Sequence, residues 1–139
     1  MTGRRATRWQ YLGPWLVIGF GVVIGLAALP ATSTPAVLLT DLVFWPIDGA
    51  QSLTQEARLL SAIVGGVMVG WGVTLVLLTQ KVYPREPDLV STVIRGGVWA
   101  WFVVDSIGSI AVGSPVNVVL NIGFLLVFVL PWRRVATAA

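Results

Sequence analysis

The chain has 139 residues, of which 56% are hydrophobic and only 11% charged, with a formal net charge of +3. Soluble domains carry about 25% charged residues, so this composition, with a mean hydropathy of +0.86, excludes an ordinary soluble domain and points to a single integral membrane domain over 1–139. Cysteine and histidine are both absent, which excludes disulfides, thiol nucleophiles, iron–sulfur clusters, His-ligated haem or pigment, and zinc sites built on His and Cys.

The first ten residues are polar, with Arg4, Arg5 and Arg8 ahead of an apolar run from Tyr11 to Leu29. A signal peptide shares that pattern. The run is long for its apolar centre, however, and Leu29, Pro30 and Ala31 make a poor cleavage site. The reading is a first transmembrane helix over about 11–29. Pro14 is tolerated in its first turn, and Trp9, Tyr11 and Trp15 act as interfacial anchors.

The segment from Pro30 to Thr54 is too interrupted to span. Thr34 can cap a short helix with Pro35 at its first position, and Pro46 ends it, giving an interfacial helix over about 35–45. Asp48 and Gly49 make a turn. Ser52 and Gln55 have capping-box spacing and start a second span over about 55–79. Gly21 and Gly25 in the first helix, and Gly66 and Gly70 in the second, repeat the GxxxG spacing that lets membrane helices approach closely.

The polar loop KVYPREPD separates this helix from a third span over about 89–112. A tight turn at Gly113, Ser114 and Pro115 leads to a fourth over about 115–131, somewhat short for a bilayer. The fold expected is all-α: four transmembrane helices in a bundle, plus a short interfacial helix after the first. Lys and Arg gather at the amino end, in the loop at Lys81 and Arg85, and at Arg133 and Arg134. The positive-inside rule then puts both termini in the cytoplasm of a bacterial inner membrane.

Two charges lie inside the third span. Arg95 sits about 10 Å from its Asp88 end and Asp105 about 12 Å from its Gly113 end, at about 1.5 Å per residue. An ionised group at such depth costs on the order of 3 kcal/mol unless it faces protein or water and has a partner. Arg58 enters from the outer end of the second span and reaches inward by about one turn. Asn117 and Asn121, four residues apart, share a face of the fourth helix, and Ser109 follows Asp105 on its own face. Arg58, Asp105, Ser109, Asn117 and Asn121 are expected to converge in the outer half. They either serve as a structural ion pair with supporting amides or form a small polar pocket. Arg95 has no carboxylate at its depth, so it either snorkels toward the cytoplasm or meets an anion or lipid headgroup there. Trp71, Trp99 and Trp101 lie too deep for an interfacial belt. Packing is the plain reading, and an interface or a ring ligand the sharper one.

The run EARLLSAIVGGVMVGWGV, followed by a short loop, a helix with an internal Arg and carboxylate, and a final Asn-bearing helix, resembles the small DoxX-like four-helix bacterial membrane proteins of uncharacterised function. The likeness covers roughly the last 85 residues through Arg58, Gly65, Gly66, Gly70 and Arg95. It implies a four-helix bundle and transfers no catalytic residue.

The leading functional expectation is a non-enzymatic accessory or scaffolding subunit of a larger membrane complex, an energy-transducing one being one candidate, with lipids and other membrane subunits or further copies of itself as partners and no nucleic acid. A small transporter, channel or lipid-ligand binder using the cluster around Asp105 is the alternative. A lipid-acting enzyme comes third, since one deep carboxylate is a thin basis for proton transfer. No catalytic or metal residue is assigned and no cofactor is required. A bound lipid, quinone or carotenoid would be held only by shape and hydrogen bonds.

Overall fold

The computed structural model describes residues 5–132; Arg4, Arg133 and Arg134, counted in the topology reading, lie outside the described residues. The described chain is all-helical, with five α-helices: α1 (Arg8–Leu26), α2 (Thr34–Val43), α3 (Gln55–Leu77), α4 (Pro87–Ala111) and α5 (Pro115–Val129). Three are long and apolar enough to cross a membrane: α1, α4, and α3 with the π turn that continues it to Val82. Helices α2 and α5 are shorter, at 10 and 15 residues. At 1.5 Å per residue α5 is about 22 Å long, short of a bilayer core of about 30 Å.

Local chemistry sets the helix ends. The Thr7 backbone N–H donates to Gln10 Oε1 at 2.8 Å, which starts α1, and Pro30 prevents its continuation. Helix α2 begins one residue before the expected start, after Ser33, with Pro35 in its first turn. Helix α3 is capped by Thr54, whose Oγ1 accepts the Ala57 N–H at 3.2 Å. The expected pairing of Ser52 with Gln55 is displaced because a Thr immediately before the helix can reach the orphan amides directly. At the far end of α3, Thr79 is fully enclosed, its Oγ1 donating to Leu75 O at 2.8 Å, and the Tyr83 N–H reaches back five residues to Leu78 O at 2.9 Å.

Helix α4 closes in a Schellman motif. The Ser114 N–H donates to Ser109 O at 2.8 Å and the Gly113 N–H to Ile110 O at 3.0 Å. Gly113 has a φ of +77°, a left-handed conformation that a Cβ would oppose. Ser114 is left to start α5, with Pro115 in its first turn.

The helices run alternately up and down, fixed by contacts at both ends. At one end Tyr83 meets Trp132 edge-on, with centroids 5.4 Å apart, and Gly13 lies under the Phe128 ring. This end gathers the start of α1, the α3–α4 connection and the close of α5, and is called here the terminal end. At the other, Arg58 Nη1 donates to Ala27 O at 2.9 Å and Ser114 Oγ to Val43 O at 2.8 Å. These bonds bring together the end of α1, the start of α3, the close of α2 and the α4–α5 turn. The core runs down the middle through Val17, Leu75, Val90, Ile94, Val98, Leu125 and Phe128. Outward faces remain apolar: Val67 on α3 is 67% exposed and Val104 on α4 is 73% exposed, the arrangement of helices solvated by lipid.

The closest helix contact joins α1 to α3, and its register differs from the expected glycine pairs. A Cβ on Gly65 would lie 2.5 Å from Gly25 Cα and 2.6 Å from Gly21 O, and one on Gly72 would lie 2.5 Å from Ile18 Cγ1 and 3.0 Å from Pro14 O. Gly21 is equally confined by Gly65 O and Met68 Cβ at 2.9 Å, whereas Gly25 has ordinary room. A Cβ on Gly66 or Gly70 would meet nothing within 4 Å. The pair that packs on α3 is therefore Gly65 and Gly72, two turns apart. Gly66 and Gly70 point elsewhere because one residue turns a helix by about 100°.

Gly65→Val should cost about 1–3 kcal/mol through overpacking, lowering the thermal midpoint of detergent-extracted protein. Gly66→Val should stay within about 0.5 kcal/mol of the parent. Equal losses at the two positions would contradict this register.

Candidate functional site

A cluster of hydrogen-bonded polar side chains lies where α4 faces α5. Asp105 sits six residues before the end of α4, so about 9 Å inside it at 1.5 Å per residue. Its Oδ2 accepts from Asn121 Nδ2 at 2.7 Å and from Asn117 Nδ2 at 3.3 Å. The same Asn117 amide donates to Ser109 Oγ at 2.8 Å, and the Ser109 hydroxyl donates to the Asp105 backbone carbonyl at 2.7 Å. Ser106 Oγ accepts a longer bond of 3.4 Å from Asn121. Helical spacing explains the convergence. Asn117 and Asn121 are one turn apart on α5, as are Asp105 and Ser109 on α4, so two short polar stripes face each other.

The site is lopsided. Both amides serve one carboxylate oxygen, while Oδ1 has no partner among the described residues. Oδ1 is also absent from the enclosed, unpartnered polar atoms, and Asp105 as a whole is only half-buried, unlike Asn121, Ser106 and Ser109. One oxygen is thus held by neutral donors inside the protein and the other opens to the surface between apolar side chains of α4. Neutral donors stabilise a carboxylate without cancelling its charge. The open oxygen can take a proton, a cation or a donor from another molecule.

Arg58 does not join this cluster. Its guanidinium is committed to Ala27 O at the close of α1, where the final carbonyls lack helical partners and carry the negative end of the helix dipole. An unpaired carbonyl beside the start of α3 captures the arginine before it can reach a carboxylate on α4.

Arg95 is half-buried on α4, and its Nε is enclosed with no partner. Trp71 stacks on Phe128, with centroids 6.1 Å apart and planes 9° from parallel, and Trp101 leans on Phe124 at 6.0 Å. Both rings are thereby used in packing against α5. Trp99 is 46% exposed, touches Phe102 edge-on, and alone of the three turns a large face outward.

One buried acid went unanticipated. Asp41 on α2 is 2% exposed; its Oδ2 accepts the Gly49 N–H at 3.0 Å, while Oδ1 is enclosed without a partner. Asp48 Oδ1 accepts the Ala50 N–H at 2.9 Å in the same turn. The signal available in sequence is a lone acid within an apolar helix, AVLLTDLVFW, followed closely by an Asp-Gly turn that offers it a free amide. Among the described residues, no three of His, Cys, Asp and Glu come together as a metal-binding group.

Asn121→Leu should cost about 1–2 kcal/mol in detergent unfolding, the range of an interhelical membrane hydrogen bond. It should be non-additive with Asp105→Asn. Arg58→Met and Asp105→Asn should instead add to within about 0.5 kcal/mol, as distant, independent sites do; a larger coupling would show that the two side chains interact.

Comparison of the chain with protein-family models, with curated proteins and with solved structures finds no match.

Proposed function

We propose that the protein is a non-enzymatic membrane subunit that works by lateral association. In this reading α1, α3, α4 and α5 span a bacterial inner membrane as a four-helix bundle of the DoxX-like kind. Both termini are cytoplasmic, α2 lies at the outer interface, and the partners are other subunits of a larger membrane assembly. Helix α5 spans with the help of its flanking residues and modest thinning of the bilayer.

The observation that carries the proposal is the open Oδ1 of Asp105 among exposed apolar side chains. Val103, Val104 and Ile107 beside it on α4 are all large and outward-facing. A carboxylate at this depth is costly to leave half-satisfied, and a donor or cation on a neighbouring membrane helix removes that cost. Such a contact gives specificity to a surface that dispersion alone would leave indifferent.

The same open oxygen supports a second reading, a small carrier or channel in which Asp105 takes up a proton or cation from the outer side. With four helices, that version needs several copies to enclose a path.

Native mass of the protein extracted in mild detergent separates the two readings. The subunit reading expects a stoichiometric membrane partner whose retention falls about tenfold in Asp105→Asn, equivalent to 1.4 kcal/mol. A solitary monomer sinks it. A homo-oligomer whose ion flux is lost in Asp105→Asn establishes the carrier instead.

A further inference from the structure

Arg95 is the second charge within α4 that the packing among the described residues leaves incompletely matched. It lies eight residues into the helix, about 12 Å from the start at 1.5 Å per residue, beside core positions Ile94 and Val98, which are 1% and 0% exposed. Its Nε is sealed off with no acceptor among the described residues. The hydroxyls one turn back are already committed as donors, Ser91 Oγ to Pro87 O at 2.7 Å and Thr92 Oγ1 to Asp88 O at 2.8 Å. Glu86 and Asp88, the acids nearest in sequence, are exposed at the mouth of the helix.

The surroundings open toward lipid. The terminal guanidinium nitrogens are not among the enclosed, unpartnered atoms, so the head reaches the surface while its stem stays against the core. On the same face of the helix, one turn further on, Trp99 is 46% exposed. Lys81 and Arg85 are exposed in the connection just before α4, and Arg8 begins α1 at the same end.

We propose that Arg95 binds the phosphate of an anionic phospholipid at the terminal end of the molecule. Given a membrane-spanning chain, an arginine about 12 Å inside α4 that extends by about one turn toward the interface comes to about 7 Å from the helix start, where a headgroup drawn inward by local thinning of the bilayer meets it. A guanidinium fork matches two phosphate oxygens at once, and its own uncompensated charge favours a net-anionic lipid over a zwitterionic one, a preference to which the neighbouring cations add. A carboxylate on a partner helix would satisfy the same charge, but it would not call for the further cations Lys81, Arg85 and Arg8 at the same end.

The test uses the full chain, delipidated in mild detergent, and native mass spectrometry with phosphatidylglycerol and phosphatidylcholine as probes. The parent should hold phosphatidylglycerol about tenfold more tightly than phosphatidylcholine. Arg95→Gln should abolish that preference, Arg95→Lys should keep part of it, and Lys81→Gln should leave most of it. Preference undiminished in Arg95→Gln overturns the proposal. Displacement of phosphatidylglycerol by millimolar inorganic phosphate assigns the site to a free anion and overturns the lipid assignment. Loss of a co-purifying protein from Arg95→Gln with lipid binding unchanged overturns it in favour of a partner carboxylate. Circular dichroism and monodispersity check each variant, and if Arg95→Gln does not fold, an unreduced preference in Arg95→Lys overturns the proposal. This readout is independent of partner capture through Asp105.

Discussion

The architecture depends on the approach of α1 to α3, where backbone touches backbone at Gly21 and Gly65. In lipid, helices gain little by hiding apolar side chains from one another, because the solvent is equally apolar. What remains is close van der Waals contact, and a missing Cβ at Gly65 and Gly72 permits it. This contact sets the rotation of α3 about its axis. Trp71 is thereby turned toward Phe128 of α5, and Arg58 is placed beside the exposed carbonyl of Ala27. A side chain at Gly65 would move all of these together.

The second constraint is polar satisfaction. The α2 end of the molecule is closed by side-chain bonds to carbonyls at the ends of helices, Arg58 to Ala27 O and Ser114 to Val43 O, and at the other end the buried Thr79 hydroxyl is satisfied within its own helix by Leu75 O. These bonds spare the helix ends from burying unsatisfied groups. Against that background the incomplete positions stand out. Asp105 keeps one oxygen open, and Arg95 and Asp41 each carry one enclosed atom with no partner. Asp41 lies in the segment that folds back at the α2 end and already holds the Gly49 amide. Asp105 and Arg95 both lie on α4, at opposite depths, and both reach the surface. Helix α4 thus carries a carboxylate and a guanidinium, ten residues apart, that are each only partly matched among the described residues.

How much of this was legible in the sequence depends on whether a feature is local or rotational. Helix ends follow from Pro30, Pro35, Pro46, Pro87, Gly113 and Pro115, whose backbone limits act on the spot, so the expected and observed boundaries differ by only a few residues. Spacing by four is also local, and the faces shared by Asn117 with Asn121 and by Asp105 with Ser109 are readable directly. Azimuth is not. Gly65 and Gly66 are equivalent in a one-dimensional pattern, and only the packed structure shows which of them meets α1. Arg58 illustrates the same limit: depth correctly brings it to the α2 end, but depth alone cannot choose between a carboxylate on α4 and a carbonyl on α1. Asp41 escaped notice because an apolar helix beside a span reads as lying on the interface, which hides the fact that one of its faces is enclosed.

The distribution of aromatic residues completes the argument about α4. Trp71 and Trp101 turn toward α5, where Phe124 and Phe128 receive them, so the tryptophans that looked available from sequence depth are mostly used in packing. Of the three tryptophans in α3 and α4, Trp99 alone faces outward, one turn beyond Arg95 and on the helix that carries Asp105. Two incompletely matched charges and an outward tryptophan therefore coincide on one element. The contact between α1 and α3, by contrast, is closed backbone to backbone through glycine.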